Sequence, residues 1–149
     1  MEKFDWSRIN HLQLGKYAEY FAKMQFVLHG YDVYSSEVDD RGIDFVIRKN
    51  HDCYYDIQVK SVRGFGYIFF TKDKFSPRHN LFAVIAVFFN GALPQLYLIP
   101  STAWPSENKV LVSRDYEGKK SKPEWGIQIS KKGLEYLEQY AFDQRVMQL

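Results

Sequence analysis

Apolar residues recur at helical spacing near the start of the chain. Ile9, Leu12, Tyr17, Phe21, Met24 and Leu28 fall three to five positions apart, which predicts a helix with one inward face. Ser7 is placed to cap its start and Gly30 to close it; Gly15 lies inside the pattern or divides it into two shorter helices. The period then shortens. Tyr31–Ser35, Ile43–Ile47 and Tyr54–Val59 read as strands, the last two as antiparallel neighbours joined by the polar link Arg48–Asp52. Tyr67–Thr71 is a further strand, and Lys72–Phe75 one helical turn stopped by Pro77. The uninterrupted apolar run Leu81–Phe89 predicts a central strand buried on both faces. Asn90-Gly91 turns the chain, and Leu93–Ile99 returns beside that strand until Pro100. Residues 101–126 read as loop with a short strand at Val110–Ser113, Ile127–Ile129 as a last extended piece, and Lys131–Phe142 as a terminal helix with Leu134, Leu137 and Ala141 inward. One domain of α/β class, a mixed sheet flanked by helices, follows from this order.

Polar residues inside the strands carry the chemistry. Asp44 stands among Ile43, Phe45, Val46 and Ile47, where a carboxylate is costly to bury without a partner. A metal ion or Lys60 would serve. On the following strand Asp56, Gln58 and Lys60 share one face while Tyr55, Ile57 and Val59 share the other. Two structural readings stand beside the chemical one: Asp44 and Lys60 as a buried ion pair, and Gln58 as a hydrogen-bonding core amide. Gly42 allows a tight entry into the Asp44 strand.

The segments Gly42-Ile43-Asp44-Phe45 and Ile57-Gln58-Val59-Lys60-Ser61 resemble the PD-(D/E)xK nuclease superfamily, the restriction-endonuclease-like fold. Ile43 stands where the motif has Pro, and Gln58 where it has Asp or Glu; some members carry Gln there. The resemblance covers roughly residues 10–100. It implies a core of helix-strand-strand-strand-helix-strand, here with an extra C-terminal strand and helix, although only Lys72–Phe75 is available for the second helix. It also implies a Mg²⁺-dependent endonuclease, with Mn²⁺ as a substitute. Asp44 would anchor the ion, Gln58 would add its amide oxygen and Val59 its backbone carbonyl. Lys60 would orient the attacking water and offset charge on the phosphate. Glu19, one turn after Gly15 in a Gly-x-x-x-Glu context, would bind the ion through water or hold a second one, completing the catalytic set from the helix; the plain alternative is a helix-forming Glu that faces water. Homing, restriction, recombination and repair roles are all open, as is a catalytically inactive nuclease fold that binds DNA or protein. Such enzymes act on double-stranded DNA as homodimers or higher homo-oligomers.

Charge distribution adds to this picture. The net charge is only +2, but residues 37–44 hold four acids and one Arg, and residues 60–78 hold five basic residues and one acid. An acidic pocket beside a basic surface suits an enzyme acting on a polyanion. Arg41, Arg63, Lys72, Lys74, Arg78, Lys119 and Lys120 are the candidate phosphate contacts. The loop acids Asp39 and Asp40 are either near the site or simply solvated. Among the aromatics, Tyr54, Tyr55, Phe65, Tyr67 and Phe69 are candidates for stacking on bases, with a core role favoured for most. The single cysteine, Cys53, excludes a disulfide framework, and His11, His29, His51 and His79 lack zinc-ligand spacing. The longest apolar run is too short to span a bilayer, so a cytoplasmic protein with no membrane partner is expected.

Overall fold

The computed structural model describes residues 3–38, 41–105 and 108–149. Helix α1 (His11–Leu28) is capped by Asn10 rather than by Ser7. Asn10 accepts from the Gln13 backbone N–H, and the Gln13 side chain accepts from the Asn10 N–H, a reciprocal pair that satisfies two exposed donors. Ser7 belongs instead to a short 3₁₀ turn, Trp6–Arg8, capped by Asp5. Gly15 does not break the helix, and Gly30 follows its end with φ +87°.

Strands β1 (Asp32–Tyr34), β2 (Phe45–Arg48) and β3 (Tyr54–Arg63) form an antiparallel meander. Strand β4 (Gly66–Thr71) leaves that sheet, and β5 (Leu81–Phe88) returns parallel to β3 with Gln58 beside Ala83 and Lys60 beside Ile85. Strand β6 (Gln95–Pro100) pairs antiparallel to β5. The large mixed sheet thus runs β1-β2-β3-β5-β6. A second, antiparallel sheet sets β4 beside β8 (Glu124–Ile129), which pairs in turn with β7 (Leu111–Arg114).

A parallel pair needs a long crossover. The second helix of the implied core is not what provides it. Residues 64–80 hold β4 and a single turn in which the Lys74 and Phe75 N–H groups donate to Thr71 O at 3.1 and 3.0 Å. The run Tyr67-Ile68-Phe69-Phe70-Thr71 has aromatic and β-branched residues that suit a strand, and Pro77 stops any helix beyond it. The expected α/β class with a mixed sheet is present, together with a second, antiparallel sheet.

Side-chain alternation along β5 builds the layers. Ala83, Ile85 and Val87 face a core shared with Phe70, Phe75, Trp104, Leu111 and Ile127 on the small-sheet side. Val84 faces Ala22 and Phe26 of α1, and Ala86 and Phe88 meet Trp6, Leu14 and Ala18. Each large aliphatic side chain buried this way contributes about 1.5–3 kcal/mol, so β5 fastens both layers. The C-terminal segment is not one helix. Helix α2 (Lys131–Leu137) passes into a 3₁₀ turn, Ala141 is extended and bridges Tyr97, and α3 (Phe142–Arg145) begins with Phe142. That break carries Phe142 and Val146 to the α1 side, where the Phe142 and Phe26 rings meet edge to face at 4.9 Å. Among the described residues no helix is long and apolar enough to cross a membrane.

Candidate active site

The site forms where β2 and β3 part. Their ladder runs from Arg48–Tyr54 to Phe45–Ile57, and the Asp44 N–H still donates to Ile57 O at 2.9 Å. Beyond that point β2 has ended. The Val59 N–H donates instead to Asp44 Oδ2 at 2.6 Å, a charge-assisted bond. The carboxylate of Asp44 thus takes over from the missing strand and is fixed at the fork. Gly42, two residues earlier, turns the chain with φ +77°; a Cβ there would stand 3.0 Å from Lys74 Cβ. A side chain there would crowd Lys74 and sit in a strained backbone conformation.

Asp44, Gln58 and Lys60 line one cleft of about 360 Å³, together with Phe69, Thr71 and Lys74. Gln58 is 9% exposed, and its Oε1 has no hydrogen-bond partner among the described residues. A buried polar atom without a partner costs about 1–3 kcal/mol. The Lys60 ammonium stands 5.6 Å from the centroid of the Phe70 ring. Thr71 escaped sequence reasoning altogether, because nothing in a strand-like run marks which residue will border a cleft. Lys74, a candidate phosphate contact from the sequence, also lines the cleft, close against Gly42.

Glu19 is not among the cleft-lining residues. Its carboxylate meets Lys16 at 3.3 Å and Lys23 at 3.2 Å. Lys16 was also missed. Its pKa is raised, chiefly by Glu19 and in smaller part by the Asp44 carboxylate, so this surface cluster lies within electrostatic reach of the fork. Lys23 also donates to Ser35 Oγ at 2.9 Å and lies over the Phe45 ring.

The candidate phosphate contacts divide into two groups. Arg63 donates to the backbone carbonyls of Trp6 and Ile9, fastening the N-terminal segment. Arg78 pairs with Asp56 at 2.6 Å, and Lys72 pairs with Asp115 at 2.7 Å while lying 4.0 Å from the Trp125 ring centroid. These three are engaged within the fold. Lys74 lines the cleft, and Arg41, Lys119 and Lys120 are exposed. Asp39 and Asp40 lie outside the described residues.

No protein-family model and no curated protein matches the chain. The chemistry rests on the donors themselves. A carboxylate, an amide oxygen and a backbone carbonyl make a hard, all-oxygen set of the kind Mg²⁺ prefers. Among the described residues no group of three His, Cys, Asp or Glu side chains is placed to hold a metal ion.

Proposed function

We propose that the chain is a Mg²⁺-dependent endonuclease that hydrolyses phosphodiester bonds of double-stranded DNA. The observation that carries the reading is a cleft lined by Asp44, Gln58, Lys60 and Lys74, with the Gln58 Oε1 buried and without a partner among the described residues. Asp44, Gln58 and the Val59 carbonyl would hold the ion. The ion would supply charge neutralisation on the phosphate and a more acidic water. Lys60 and Lys74 bring ammonium groups to the same cleft, where they orient the incoming phosphate and offset the charge that develops on it. The Asp44–Val59 bond holds the carboxylate still while this happens.

A second reading has its own observation. Asp44 already serves as a backbone acceptor, as it would in a nuclease fold that binds DNA or protein without cutting. One pair of measurements separates the two. Plasmid and oligonucleotide cleavage is assayed with and without Mg²⁺, alongside thermal unfolding of wild type and Gln58→Met. Met nearly matches Gln in size and removes the unpartnered oxygen. Gln58→Met is expected to be as stable as wild type or more so in chelator, to lose the Mg²⁺-dependent rise in Tm, and to cut no DNA. A wild-type Tm indifferent to Mg²⁺, with no cleavage of any DNA form, would sink the proposal.

A further inference from the structure

The small sheet turns one face to the core through Ile68, Phe70, Leu111 and Ile127. By alternation and register its other face carries Tyr67, Phe69 and Thr71 from β4, Glu124 and Gly126 from β8, and Arg114 from β7. Phe69 is 45% exposed and also lines the cleft. The Tyr67 ring lies beside it, inclined by 21° at a centroid distance of 6.3 Å. Tyr67 is laid down across Gly126, where a Cβ would overlap its hydroxyl, and that hydroxyl donates to Glu124 at 2.5 Å. Arg114 covers the Tyr67 ring at 4.2 Å.

Two features of this face are unusual. Its acid, Glu124, is buried under the Tyr67 hydroxyl, so the exposed charge it presents is the guanidinium of Arg114. Its two near-parallel rings are one covered and one open, and the open one borders the cleft. The β7–β8 hairpin beside it carries exposed Lys119 and Lys120 along with the exposed acids Asp115 and Glu117; Lys122 pairs with Asp73 and Asp115 with Lys72. Planar rings followed by cations match a strand of nucleic acid, whose bases stack on aromatic faces while its phosphates meet Arg and Lys.

We infer that the outer face of the small sheet receives DNA on its way into the cleft, and that Phe69 is the ring on which a base unstacked next to the target phosphate rests. The inference rests on the endonuclease reading for the identity of the cleft, and adds to it a preference for DNA with an unpaired base there. Phe69 is a positioning residue in this scheme.

The test is binding in EDTA, so that cleavage cannot intervene. Anisotropy compares a fully paired, end-labelled duplex with one that has a single unpaired base. Wild type is expected to prefer the unpaired-base duplex, because the cost of unstacking is already met. Phe69→Ala and Phe69→Leu should erase that preference and weaken binding to this duplex roughly 5- to 150-fold, the range of one base–aromatic contact. Phe69→Trp, which keeps the π-face, should retain it. Circular dichroism confirms that each variant is folded. A Phe69→Ala protein that keeps the preference overturns this inference alone, provided that wild type binds and cuts DNA. A Phe69→Leu protein with wild-type preference also overturns it, since a plain apolar contact, as to a protein partner, would then suffice. A wild type that binds no form of DNA overturns both this inference and the endonuclease reading.

Discussion

Asp44 has two tasks that one substitution can separate. Its Oδ2 accepts the Val59 N–H at 2.6 Å, and the proposed ion needs its negative charge. Asp44→Asn keeps an oxygen of the same reach but removes the charge. The variant is expected to unfold within about 1 kcal/mol of wild type, the net worth of a neutral hydrogen bond, and to lose Mg²⁺-dependent cleavage. Asp44→Ala orphans the Val59 N–H as well, so it should lose a further 1–3 kcal/mol or so by denaturant unfolding. Cleavage by the Asn variant at the wild-type rate would mean that Asp44 is a strand-end acceptor and nothing more. The same separation explains why the sequence could raise the question without answering it. An acid in an apolar strand demands a partner, but only the end of the β2–β3 ladder reveals that a backbone N–H is one of them.

At the scale of elements, periodicity identified what tertiary packing later confirmed. The apolar run 81–89 became β5, and the Asn90-Gly91 turn brought β6 back beside it. Residues 124–126 were less legible. Glu124 and Gly126 look like loop residues in sequence, yet they begin β8, because Tyr67 from a strand more than fifty positions away fills the space that Gly126 leaves and satisfies Glu124. No local pattern encodes such a long-range fit. The cleft was half legible for the same reason: Asp44, Gln58 and Lys60 come from adjacent strands with a readable register, whereas Phe69 and Thr71 arrive through the crossover. Gly126→Ala should force Tyr67 off the sheet and strand the Glu124 carboxylate, costing about 1–3 kcal/mol, as overpacking does. Tyr67→Ala removes the obstacle in advance. The two changes should therefore be strongly non-additive, with the double variant close to Tyr67→Ala in stability; simple additivity in chemical denaturation would show that Gly126 is not there to accommodate Tyr67.

The whole molecule distributes tyrosine hydroxyls through its layers, and this sets its response to alkali. The Tyr55 pKa is pushed up to about 12, mainly by the hydrogen bond with Cys53 and then by burial. Burial is the first cause of upward shifts at Tyr31 below α1, at Tyr97 on β6 and at Tyr140 after α2. Tyr67 is raised by burial and by its bond to Glu124. In every case the folded protein holds the phenolic proton more tightly than the unfolded chain, whose tyrosines ionise near pH 10. Below that pH both states are protonated and the full stability is present. Above it the unfolded state loses protons first, so stability falls as pH rises from about 10 toward 12. Because Tyr55 and Tyr97 lie in the large sheet, Tyr67 in the small one, and Tyr31 and Tyr140 beside helical segments, the loss should be global: the part of the tyrosinate absorbance that comes from these five residues should rise together with the loss of far-ultraviolet dichroism, in one cooperative step above pH 10. Smooth ionisation of all tyrosines near pH 10, with the dichroism unchanged, would show that these hydroxyls are not held by the fold.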